Sequence, residues 1–90
     1  MGKYTISDKV IIQIINNIGT EVDGVDKIIK TRVTEIGKGI KVDVDVCIEL
    51  GKQIVDVSEE VQKSIKTNLE KMTHLNVHTV NVYVKMLIKK

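Results

Sequence analysis

Hydrophobic residues follow two different periods along this chain and divide it into five segments. From Asp8 onward, Val10, Ile11, Ile14, Ile15, Ile18 and Val22 recur at helical spacing. At about 100° per residue they project onto one arc of roughly 140°, the signature of an amphipathic helix. Ser7 is the N-cap candidate, and the Asp8 carboxylate suits the positive end of the helix dipole. Ile12 falls outside the arc, on the polar side, so it is the one apolar residue of this helix that a core does not need.

The period then changes. Val25 to Ile36 reads as a weaker strand, because Ile28, Ile29 and Val33 break strict alternation. Gly37-Lys38-Gly39 supplies turn residues tolerant of positive φ. In the next segment Ile40, Val42, Val44, Val46, Ile48 and Leu50 alternate with Lys41, Asp43, Asp45, Cys47 and Glu49. One face of that strand is buried and the other is mostly polar.

Gly51 ends this strand, and a helix follows from about Lys52 to Thr73. Ile54, Val57, Val61, Ile65, Leu69 and Met72 fall on one arc, with Ser58 and Asn68 among them. The opposite face is charged, and Glu59 and Lys63 stand at the favourable i,i+4 spacing. A last strand places Val80, Val82, Val84 and Met86 on one face, with Thr79, Asn81, Tyr83 and Lys85 on the other.

The expected fold class is therefore α+β, in the order α-β-β-α-β. The first two strands form an antiparallel hairpin, and the long helix returns the chain as a right-handed crossover. Both helices pack on the apolar face of a three-stranded sheet, in strand order 2-1-3 or 1-2-3. The other face, with Asp43, Asp45, Cys47, Glu49, Asn81, Tyr83 and Lys85, has no element left to cover it. That open face and Ile12 form the candidate surface for a partner or a second copy.

Composition narrows the class without adding chemistry. Ninety residues suit one domain, spanning 1–90. Tyr4 and Tyr83 are the only aromatic residues, so the core is built from Val, Ile, Leu and Met. The lack of proline leaves the long helix unbroken. A net charge of +2 is too small to argue for a nucleic-acid partner. The lone Cys47 excludes an intrachain disulfide and fits a reducing compartment. The first apolar run, Val10–Ile15, is short and follows polar residues, unlike a signal peptide. No run approaches the roughly 18 apolar residues of a membrane span. A soluble, cytoplasmic protein is expected.

Each candidate for chemistry meets a plainer explanation. Asp43, Asp45 and Glu49 could hold a divalent metal or act as an acid/base pair. A strand face with cross-strand partners such as Lys30 or Arg32 explains them better, because no loop is available to wrap an ion. His74 should end a helix while His78 lies in a strand, and neither Cys nor carboxylates complete a zinc set. Cys47 has no evident base to activate it. Gly37-Lys38-Gly39 separates two strands and does not open a helix, so it is not a phosphate loop. Lys89-Lys90 is a short basic tail expected to be solvated. Catalytic, metal and cofactor sites are all expected to be absent.

Several segments together resemble the alkaline shock protein family of mainly Gram-positive bacteria, also called envelope stress response or general stress proteins. They are Gly2, Ile6-Ser7, Glu21-Val22-Asp23-Gly24-Val25, Leu50-Gly51, Ile54, Val61-Gln62, Met72-Thr73, Leu75-Asn76-Val77 and Val80-Asn81-Val82-Tyr83-Val84. They span nearly the whole chain, and their order and spacing carry more weight than any one motif. Two features depart from the family. Gly37-Lys38-Gly39 replaces a longer, glycine- and charge-rich excursion, and His74 stands where the family tends to place a glycine.

The resemblance implies a non-enzymatic cytoplasmic protein of cell-envelope homeostasis. It implies self-association, and retention at the inner face of the membrane by a separate anchoring protein. The alternative is a small K-homology-like nucleic-acid-binding module. Against it, the chain has no Gly-x-x-Gly loop, aromatics for stacking are scarce and the basic residues are dispersed.

Overall fold

Ser7 starts the first element as its residue type suggests. In the computed structural model, which describes Gly2 and residues 4–90, Ser7 is extended and its Oγ accepts the Val10 N–H at 3.2 Å. Met1 and Lys3, the other members of the expected 1–90 domain, lie outside the described residues. Helix α1 runs Asp8–Thr20 and buries Ile11, Ile15 and Gly19. Ile14 and Ile18 flank this stripe half-buried, while Val10, expected in the core, stands exposed at the helix end.

Strands β1 (Val25–Ile36) and β2 (Gly39–Glu49) form the antiparallel hairpin, helix α2 (Ile54–Thr73) follows, and β3 (Asn76–Ile88) pairs parallel to β2. The strand order is β1-β2-β3. Of the two orders open to the sequence, the one with the alternating strand in the middle is adopted. Gly37 turns the hairpin with φ +57°. Gly39 serves a different purpose: a Cβ there would strike the Asn76 carbonyl and approach His78 Nε2 to 2.7 Å.

The irregular pattern of β1 has a structural cause. Register shifts fall between Val25 and Lys27 and between Ile28 and Lys30, so Asp26 and Ile29 are extra residues opposite β2. Val25 and Ile28 thus both face the helices despite their odd separation. A similar shift in β3 places Val84 beside Val46 but Met86 beside Cys47. Lys85 is the extra residue, and it sends Met86 to the open face. This corrects the expectation that Met86 shares a face with Val80, Val82 and Val84.

Helix α2 begins at Ile54, two residues later than expected, after Gln53, whose side chain makes no capping bond. Its buried residues Val57, Val61, Ile65, Leu69 and Thr73 form a single i,i+4 row. The stripe is narrow and ends on Thr73, whose hydroxyl donates to the Leu69 carbonyl at 2.6 Å. Ile54 and Met72, expected on the core arc, are exposed. The helical ion pair is Lys66–Glu70 at 4.0 Å, not the expected Glu59–Lys63. His74 stops the helix in the left-handed region at φ 60°, its N–H bonded to the Glu70 carbonyl at 2.8 Å.

Both helices pack on one face of the sheet: α1 lies against β1 and α2 against β3. Val42, Val44, Val46 and Ile48 of β2 share one fully aliphatic core with Ile15, Val61, Ile65 and Leu69. Three side chains of α2 also close the outer edge of β3. Glu70 accepts the Val77 N–H, Lys66 donates to the Val77 carbonyl, and Gln62 donates to the Val80 carbonyl, at 3.0, 2.8 and 3.1 Å. Among the described residues, no helix is long and apolar enough to cross a membrane.

Candidate interaction surface

The open sheet face is built around the outward residues of β2, and both neighbouring strands shape it. In the β1 register Lys30 lies beside Asp45 and Arg32 beside Asp43. Arg32 reaches diagonally, and its two terminal nitrogens donate to the Asp45 carboxylate at 3.1 and 3.3 Å. That bond holds the Asp45 carboxyl below the ordinary carboxylate range, against the opposing effect of burial. The same bond raises the Arg32 guanidinium above its ordinary value. On the other side Asn81 donates to Asp43 at 2.9 Å, and Lys41 lies 3.9 Å from the second oxygen.

One lysine of the basic tail, expected to be solvated, has carboxylate partners while remaining more than half exposed. Lys90 lies 3.2 Å from Asp26 and 3.7 Å from Glu49. The bond to Asp26 raises its ammonium above the ordinary value. Asp43, Asp45 and Glu49 therefore each have a hydrogen-bonding or charged partner. Among the described residues, no group of three or more His, Cys, Asp or Glu side chains converges.

Cys47 is completely buried although it points to the open face. Lys27 and Met86 flank it in the two registers. Neither histidine approaches it. His78 Nε2 lies 3.1 Å from the Ile36 carbonyl, at the hairpin end of the sheet. That end, marked by Gly39, is eight residues of β2 from Cys47, about 26 Å at roughly 3.3 Å per residue. Asp43 and Asp45 are also buried, at 8% and 9% exposure. The face is uncovered by any helix, yet three of its expected surface residues are sheltered by side chains from β1 and β3.

β3 supplies three exposed apolar side chains of this face. Tyr83, Met86 and Ile88 are 44%, 52% and 37% exposed, and the Lys85 ammonium lies 5.7 Å from the Tyr83 ring centroid. Asn81 and Glu49 are half-buried among them. Met86 and Ile88 were missing from the sequence-based surface because the bulge at Lys85 has no compositional signal. Ile12 lies elsewhere. It is half-buried on α1, one turn from Asn16, whose Oδ1 accepts the Thr31 hydroxyl at 2.6 Å. The sheet lies between Ile12, in the helical layer, and the open face, so the structure does not join them into one surface.

Sequence profiles assign this architecture to a lineage. The profile of a family with cell envelope-related function matches residues 26–88, from the first bulge of β1 to the last residue of β3. The chain belongs to the Asp23 family. The abbreviation stands for alkaline shock protein and has nothing to do with the aspartate at position 23. This establishes the lineage anticipated from the motifs. No curated protein matches the chain.

Among solved structures, the C-terminal domain of MamM has a similar fold. A copper form of one variant superposes with a TM-score of 0.67 at 12% identity, covering 89% of this chain and 98% of that one. A manganese form of another gives 0.66 at 14% identity, covering 89% and 99%. At this identity the likeness concerns the fold alone.

Proposed function

We propose that this Asp23-family protein is a non-enzymatic component of cell-envelope stress response, working by self-association and protein–protein contact near the cytoplasmic membrane. The observation that carries this reading is the open sheet face, where Tyr83, Met86 and Ile88 expose apolar surface beside a neutralised carboxylate row. Paired charges cost less to cover than free ones, and exposed apolar side chains gain from being covered. The family's envelope-related function supports the cellular setting. A partner protein is proposed as the means of holding the chain at the inner face of the membrane.

Affinity co-purification from the native cells, with and without nuclease, tests this reading. The expected result is an integral-membrane protein that survives nuclease and is lost with a Tyr83→Ala/Met86→Glu variant. Recovery dominated by RNA and ribosomal proteins, abolished by nuclease, would overturn it in favour of a nucleic-acid module.

A further inference from the structure

Ser64 and Asn68 stand where two packed helices would ordinarily exchange apolar side chains. On α2 they belong to the i,i+4 row Glu60-Ser64-Asn68-Met72, next to the buried row. Opposite them on α1 are Ile14 and Ile18, only half-buried. The small polar side chains leave the seam open, as a groove of about 600 Å³ between the helices. Its apolar lining comes from Ile14, Ile18, Val22 and the largely exposed Met72.

The rim has a single sign of charge. Glu21, Asp23 and Glu60 line the groove, and no Lys, Arg or His does, although the chain as a whole is net positive at +2. Asp23 has one contact outside the groove, Lys52 at 3.4 Å, and is itself 93% exposed. Along α2 the row from Glu60 to Met72 spans twelve residues, about 18 Å at 1.5 Å per residue, or a little over three helical turns. A pair of helices offers no free strand edge, so it recognises a third helix through side chains rather than an added strand through backbone.

We propose that this groove binds a basic amphipathic helix of a partner protein. Its apolar stripe at i, i+3, i+4 and i+7 would lie on Ile14, Ile18 and Met72. Its flanking lysines or arginines would face Glu21, Asp23 and Glu60. The inference rests on the interaction-protein reading and deepens it, since it names a second surface on the helical side of the molecule.

The test is selection of displayed random peptides of about 15 residues, roughly four helical turns, on the intact chain. A groove-filled variant, Ser64→Leu/Asn68→Leu, serves as counter-bait. The expected winners carry net positive charge with apolar residues at helical spacing. They bind the native chain at least about tenfold more tightly than the filled variant. Binding is also expected to weaken by about tenfold in Glu21→Lys/Glu60→Lys, whose exposed substitutions leave packing untouched and so control for misfolding of the filled variant.

Absence of enriched peptides, winners without net positive charge, or equal binding to both baits would overturn the groove assignment. Peptides that bind both baits equally but are lost with Tyr83→Ala/Met86→Glu dock on the open sheet face. They would refute the groove while leaving the proposed function standing.

Discussion

Backbone constraints at two residues are large enough to be measured. His74 occupies a left-handed conformation at φ 60°, which costs an L-residue about 1–2 kcal/mol, less for histidine than for most. Glycine would remove that strain at an unfolded-chain entropy cost of about 0.5–1 kcal/mol. His74→Gly is expected to stabilise the protein by about 0.5 kcal/mol, raising Tm by about 2–4 °C in a thermal melt. Gly39→Ala should act in the opposite direction. Its Cβ would meet His78, which can rotate away, and the Asn76 carbonyl, which sits in register beside it and cannot. Urea unfolding should show a loss of about 1–3 kcal/mol. Ser7, Gly37 and the helix stop near Thr73 were readable because capping and turn residues act locally. The role of Gly39 was not, because its constraint comes from a strand 37 positions later.

At the scale of elements, periodicity revealed what it could and failed where a bulge intervened. β2 alternates without interruption, and its inward and outward faces came out as read as far as Ile48, whereas Leu50, expected on the buried face, lies beyond the strand and is exposed. Both edge strands carry register shifts, and those at Asp26, Ile29 and Lys85 decide which apolar residues reach the core. The ion pair between β1 and β2 should be visible in acid unfolding. Arg32 lowers the Asp45 carboxyl from its ordinary value of 3.8. The pair therefore contributes stability above that value and loses it as pH falls through the lower folded-state value. Asp45→Asn should flatten the acid limb of the stability profile while leaving its neutral-to-alkaline shape unchanged. On the helical side Glu70 satisfies the Val77 amide at 3.0 Å. Glu70→Ala is expected to cost about 1–2 kcal/mol and to speed hydrogen exchange at Val77.

The whole molecule is elongated, 51 × 19 × 18 Å, and strands of 11 to 13 residues account for most of its length. Its two faces differ. One is covered by two helices with a groove between them, and the other is left to side chains alone. Strand order decides how much of the open face is available. As the central strand, β2 has neighbours on both sides, so Asp43, Asp45 and Cys47 are sheltered while Tyr83, Met86 and Ile88 of β3 stay exposed. The sequence left two strand orders open, and only one of them hides those residues.

The central claim is that this strip of β3 mediates assembly. Sedimentation velocity over a range of concentrations, on the native chain and on Tyr83→Ala/Met86→Glu, tests it most directly. The account predicts concentration-dependent assembly of the native chain and a monomer for the variant with an unchanged melting curve. A native chain that stays monomeric throughout, or a variant that assembles equally well, would contradict it.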